Sequence, residues 1–223
     1  MTPEIFQTIS GYRFKQTELL EQALTHRSFS RSHNNERLEF LGDSVLSLVI
    51  SQYIYQQFPQ ADEGDLSRLR ASLVKEKTLA EVARQIKLGE FIRLGGGELK
   101  SGGFRRDSIL SDVLEAMIGA VYLDSDFEQA RLVVLQLYHH QLENPPDIQS
   151  LKDPKTRLQE FLQSEQRELP VYDVVQTVGK AHDQTFTVKC LVPEYSIETS
   201  GKGSSRKKAE QVAAELALKQ ISS

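Results

Sequence analysis

The 223-residue sequence predicts an all-α domain followed by a small α+β domain of order α-β-β-β-α. Three observations carry that expectation. Apolar residues recur at helical spacing nearly throughout the chain as far as Leu142. The stretch Glu143-Asn144-Pro145-Pro146-Asp147-Ile148-Gln149-Ser150 then pairs two prolines with polar residues, which is linker chemistry. Beyond it, short stretches of β character stand between two helical ones. The expected division is a first domain over 1–142, a linker over 143–152 and a second domain over 153–223.

In the first domain the helical spacing runs through Ile5 to Ile9, Leu19 to Leu24, Leu38 to Phe58, Leu66 to Ile86, Ile109 to Leu123 and Phe127 to Leu142. The second opens on Asp153-Pro154, an N-cap candidate followed by a proline whose φ is already helical, so a helix should run to about Gln166. Strands are expected over Val171 to Val178, Thr185 to Val192 and Tyr195 to Thr199, separated by turn residues such as Gly179 and Pro193. The middle one alternates clearly through Phe186, Val188 and Cys190. A last helix should begin after Gly201-Lys202-Gly203-Ser204-Ser205 and bury Ala209, Val212, Ala213, Leu216 and Ala217.

Hydrophobic residues make up 39% and charged ones 26%, and no apolar run approaches the ~20 residues of a membrane span. The start, Met1-Thr2-Pro3-Glu4, lacks the basic and apolar stretches of a secretory signal, so a cytoplasmic protein with no membrane association is expected. The single cysteine, Cys190, excludes an internal disulfide and a Cys-rich zinc site, and its apolar neighbours point to a core position. A net charge of -4 argues mildly against a nucleic-acid partner. Divided at residue 150, however, the first part holds 16 Lys+Arg against 21 Asp+Glu and the rest 11 against 10, so the acidity belongs to the first part.

Those acids are patterned. At ~100° per residue Glu36, Glu39 and Asp43 fall within about 60° of one another, with Leu38, Leu41, Val45 and Leu48 on the opposite side of the same helix. A solvated acidic face would look the same. The second pair, Asp112 and Glu115, weakens that plainer account, because the rest of its helix is apolar on all sides and no Lys or Arg lies three or four residues away. Carboxylates on a buried helix must be neutralised, paired or bound to a cation. Oxygen-only ligands suit Mg²⁺ or Mn²⁺, whereas zinc favours His or Cys. A third acidic spot, Asp62-Glu63-Gly64-Asp65, reads equally well as a further ligand or as a helix cap.

The run Glu36-Arg37-Leu38-Glu39-Phe40-Leu41-Gly42-Asp43-Ser44-Val45-Leu46 closely resembles the signature of the bacterial ribonuclease III family. The likeness extends to Leu24-Thr25-His26-Arg27-Ser28, Asp62-Glu63-Gly64-Asp65, Gly97-Glu98-Leu99-Lys100-Ser101-Gly102-Gly103 and Ser111-Asp112-Val113-Leu114-Glu115-Ala116. It implies that the first domain is a nuclease in which Glu39, Asp43, Asp112 and Glu115 hold metal, with Asp43 and Glu115 most tied to catalysis. Glu36 and Glu63 match acidic positions flanking the family's site. The implied reaction is hydrolysis of double-stranded RNA by a metal-activated water, leaving 5′-phosphate and 3′-hydroxyl ends. A homodimer is implied too, each subunit cutting one strand to leave short 3′ overhangs, with ribosomal RNA precursors among the targets. Phe40 resembles an aromatic that inserts into the partner subunit, although periodicity alone would make it a core residue.

The α-β-β-β-α order likewise resembles a double-stranded RNA-binding domain. That likeness assigns Gln159 and Gln163 of the first helix and His182 of the turn Gly179-Lys180-Ala181-His182-Asp183 to successive minor grooves. Ser204, Ser205, Arg206, Lys207 and Lys208 would clamp phosphate where free N–H groups and the helix dipole favour an anion. Glu210 departs from the pattern, standing where many such domains carry another basic residue, which should weaken the clamp. The loop Gly95 to Arg106, permissive in backbone and holding Lys100, Arg105 and Arg106, would lie along the duplex beside the acids. The rival to a nuclease is a non-cleaving RNA-binding regulator. All four carboxylates are present, which favours the enzyme.

Overall fold

The computed structural model describes residues 4–180 and 184–221 and divides into two compact units, Met1–Pro146 and Asp147–Ser223. In the first unit the helices are α1 (Glu4–Ser10), α2 (Thr17–Ala23), α3 (Glu36–Gln57), α4 (Glu63–Leu73), α5 (Glu76–Gln85), α6 (Gly96–Lys100), α7 (Asp107–Asp124), α8 (Phe127–Leu137) and α9 (His139–Glu143). α7 is the central element. Ile109, Leu110, Val113, Leu114, Ala116, Met117, Ile118, Ala120 and Val121 are all buried on it, as expected of a helix apolar on all sides.

α3 packs chiefly along α7, and it buries Leu38, Gly42, Val45, Leu46, Val49, Ile50 and Ile54. Leu48, expected on that side, is instead 57% exposed. The crossing is centred on Gly42, and at ~100° per residue Leu48 stands about 120° away from it. At the far end of α7, the buried Asp124 accepts hydrogen bonds from the Tyr12 hydroxyl at 2.5 Å and from the N–H groups of Lys15 and Gln16 at 2.8 Å. That carboxylate ties the segment between α1 and α2 to the central helix.

The apolar run from Leu66 to Ile86 is two helices, broken at Val74 and Lys75, where Lys75 turns to extended backbone and the Thr78 hydroxyl reaches back to the Ser72 carbonyl at 2.8 Å. Asp62 caps α4, its side chain accepting from the Asp65 N–H at 2.7 Å. The segment read as linker is partly ordered: Glu143 ends α9, and α10 (Ile148–Leu151) is a single turn capped by Asp147.

The second unit continues with α11 (Pro154–Ser164), capped as expected by Asp153, which accepts from the Thr156 N–H at 2.9 Å. An antiparallel sheet of order β1-β2-β3 follows, with β1 Val171–Val178, β2 Thr185–Val192 and β3 Ile197–Gly203. α12 (Arg206–Ile221) closes it. Val188, Cys190 and Val192 of β2 are buried on the helix side, and Cys190 packs in a core with Leu158, Leu162, Ala213, Ala214 and Ala217.

β3 starts two residues later than the expected Tyr195 and continues through Gly201 and Gly203, beyond the expected end at Thr199. The reason is proximity: a Cβ on Gly201 would collide with the Ala209 carbonyl and the Ala213 amide, so these glycines let strand and helix touch. The inner stripe of α12 is Ala209, Glu210, Ala213, Ala214 and Ala217, leaving Val212 and Leu216 each 40% exposed rather than buried. Among the described residues no helix is long and apolar enough to cross a membrane.

Candidate functional site

α3 and α7 approach so closely that neither tolerates a side chain at the crossing. A Cβ on Gly42 would strike the Glu115 carbonyl, and one on Gly119 would strike that of Leu38. This contact brings the acid-bearing faces of the two helices together. One carboxylate oxygen from each of Glu39, Asp112 and Glu115 lies within 4.8 Å of the others, and all three side chains are half-buried. Two unit charges ~4–5 Å apart repel by about 3–4 kcal/mol at an effective dielectric of ~20. The cluster therefore takes up protons or a cation.

Its titration carries the same message. Burial, then the charges of Asp43, Glu39 and Asp112, push the Glu115 carboxyl up to about 8. Burial and the Asp112 and Glu36 charges raise Glu39, and burial raises Asp112. Among the described residues no ion pair falls on any of the three, and an all-oxygen set of this kind fits a hard divalent ion.

Asp43 is exposed one turn along α3 from Glu39, with the Ser47 hydroxyl 3.5 Å from its carboxylate, and it stands outside the three-residue group while its charge acts on Glu115. Glu36 is exposed and paired with Arg27 at 3.4 Å. Glu63 begins α4, where it accepts from the Ser67 hydroxyl at 2.8 Å, and is not part of the cluster.

Beside the acids opens a cavity of about 800 Å³ whose lining includes Glu36, Glu39 and Asp112 together with His26, Arg27, Arg31 and Arg106. Its cations and acids line one space. His26, whose Nδ1 accepts from the Ser28 N–H at 3.1 Å, is lowered by burial. No role for His26, Arg27 and Arg31 follows from spacing, because they lie on an irregular segment without period. The segment read as a loop is partly helical, holding α6 (Gly96–Lys100); of its three cations, Arg106 lines the cavity, held by Glu98 at 3.1 Å, while Arg105 stacks on Phe104. The Gly95 N–H donates to the Ser28 hydroxyl at 2.9 Å, joining the two cavity walls.

Phe40 is 78% exposed, which removes the alternative of a core residue. It lines a groove of about 630 Å³ with Leu19, Leu38, Leu41 and Leu123.

In the second unit Gln159 is half-buried and Gln163 exposed on α11, and Arg206, Lys207 and Lys208 are exposed at the start of α12. The Ser205 hydroxyl caps that helix, accepting from the Lys208 N–H at 3.2 Å, and the Ser204 hydroxyl accepts from Lys208 Nζ at 3.2 Å. Glu210 is buried and takes Arg206 at 2.8 Å. His182 lies outside the described residues.

Known proteins share this organisation. The family model described as Ribonuclease-III-like matches residues 16–142, and that of the double-stranded RNA binding motif matches residues 154–221. Ribonuclease 3 of Vibrio cholerae is 58% identical over 223 residues, 99% of each chain. Ribonuclease 3 of Photobacterium profundum is 58% identical over 213 residues, 96% of this chain and 95% of its own. A solved nuclease domain of ribonuclease III from Campylobacter jejuni, described for flexibility in a region involved in dimer formation, is 49% identical with a TM-score of 0.60. It covers 61% of this chain and 96% of that domain. A helical domain with a shared carboxylate cluster, a double-stranded RNA binding motif behind it and relatives alike over their full length together place this chain in the ribonuclease III family of endoribonucleases.

Proposed function

We propose that the protein hydrolyses phosphodiester bonds in double-stranded RNA, leaving 5′-phosphate and 3′-hydroxyl ends with short 3′ overhangs, and that ribosomal RNA precursors are among its substrates. The observation that carries this reading is the convergence of Glu39, Asp112 and Glu115 without a basic partner among the described residues. Glu39, Asp43, Asp112 and Glu115 would hold Mg²⁺, with Mn²⁺ as a substitute. A bound divalent ion lowers the pKa of water and stabilises charge on the attacked phosphate. The protein's own groups do the rest. The Gly42–Gly119 contact sets the separation of the acid pairs, and Glu115, which burial and its acidic neighbours hold protonated, would have to be ionised to serve as a ligand. Arg27, Arg31 and Arg106 receive the RNA backbone from the cavity side. Asp43 and Glu115 are the residues this reading ties most closely to bond cleavage, with Glu36 and Glu63 in supporting positions.

Two further parts complete the reading. Gln159, Gln163 and His182 enter minor grooves and Ser204 to Lys208 hold phosphate, so the second unit reads duplex shape rather than sequence. The protein acts as a homodimer in which Phe40 of one subunit enters the groove of its partner. An exposed aromatic beside an apolar groove on the same face supports an isologous twofold contact. The cytoplasm, where RNA duplexes arise, is the compartment for this activity.

The test is a uniform RNA duplex incubated with and without Mg²⁺, followed by mapping of the ends on both strands. Metal-dependent staggered cuts are expected. Binding without cutting in either condition would replace the nuclease by the non-cleaving regulator.

A further inference from the structure

Lys155 and Arg206 stand on different helices of the second unit, yet both end on one carboxylate. Glu210 accepts from Lys155 Nζ at 2.7 Å through Oε2 and from Arg206 Nε at 2.8 Å through Oε1, with its side chain only 9% exposed. A carboxylate this buried is costly unless both oxygens are satisfied by cations, as they are here. The junction is braced further: Gln211 Oε1 accepts from the Lys155 N–H at 2.9 Å, and Lys155 Nζ lies 4.5 Å from the centre of the Tyr172 ring on β1. Lys155 belongs to the first turn of α11, which carries Gln159 and Gln163, and Arg206 opens α12 with its basic run. The two helices meeting at Glu210 are those assigned above to minor groove and phosphate.

We propose that Glu210 is a positioning residue for duplex recognition, pinning the head of α11 to the head of α12 so that groove and phosphate contacts fall at the spacing of A-form RNA. A basic residue at this position would add a phosphate contact usable on any duplex. The carboxylate gives up that contact and commits an ammonium and a guanidinium to geometry. What looked in the sequence like a weakened clamp becomes a brace. The inference rests on reading the second unit as a binder of RNA duplexes.

The test uses the full chain without divalent metal, so that duplexes stay intact, and measures binding to RNA and DNA duplexes of equal length and sequence across a salt series. Glu210→Gln should reduce the preference for RNA over DNA by roughly tenfold and steepen the salt dependence, because the released cations serve any phosphate. Lys155→Gln, at a partly exposed side chain that leaves Arg206 paired, should lower the same ratio and guards against misfolding of the first variant. A merely structural role would weaken RNA and DNA binding by one common factor. An unchanged ratio in both variants of a selective wild type overturns the role of Glu210 alone. A wild type without preference for RNA overturns the reading of the second unit, and this inference with it.

Discussion

Glu115 carries the largest shift among the three clustered carboxylates, pushed up to about 8 by burial and its acidic neighbours. Glu115→Gln keeps its shape but removes the charge, and should reduce cleavage in Mg²⁺ by more than about 100-fold, the upper range for losing even an outer-shell partner of a metal. Duplex binding should be nearly intact, which a gel-shift with the same RNA checks; full cutting would remove Glu115 from the site. The pH dependence has a definite sign. Folding raises this carboxyl from 4.5 to about 8, so the native state binds the proton more tightly than the unfolded chain. Without metal, the Glu115 contribution to stability is greatest below about 4.5 and lost as pH rises towards about 8. Thermal melts at pH 5 to 8 should show that decline, flatter in Glu115→Gln, and Mg²⁺ should raise the melting temperature more at pH 8 than at pH 6. Asp112 and Glu115 could be picked out in the sequence because carboxylates are conspicuous on an apolar helix, and Glu39 because it shares one helix face with Glu36 and Asp43. His26 and Arg31 could not, since only the fold carries their irregular segment to the cavity.

Among the elements, the crossing of α3 and α7 matters most. Gly42→Ala places a methyl against the Glu115 backbone, so either the helices part or the main chain distorts. A loss of about 1–3 kcal/mol is expected from such overpacking, read as a lower denaturation midpoint, together with weaker metal binding because the acid pairs separate. An alanine variant with unchanged stability and metal affinity would show that this contact does not set the spacing. Periodicity revealed the longer helices because each buries a stripe, and β2 because it alternates, but not the short α6 and α10, which bury no residue and lie in segments read as loop and linker. It ended β3 too early, at Thr199, because Gly201 and Gly203 have no side chain to display a pattern. It also ran α4 and α5 together, since apolar spacing continues across the break at Lys75.

At the scale of the molecule, Phe40→Ala should leave the fold intact, the ring being 78% exposed, while shifting the protein towards monomer in sedimentation at micromolar concentration. An unchanged dimer would move the interface elsewhere. Removing residues 147–223, one of the two compact units, should weaken duplex binding and make cleavage more sensitive to salt without destroying the metal site. An unchanged affinity would refute the role of that unit. The first half of α3 shows why so short a run of sequence was so informative. Within it Leu38, Gly42 and Val45 face the core, Glu39 and Asp43 the acid cluster or its border, and Phe40 and Ser44 open solvent on the groove side. Little of its circumference is free to drift. Mutational robustness should accordingly be lowest here, because on the proposed function a change harmless to folding would still have to satisfy metal binding and subunit pairing.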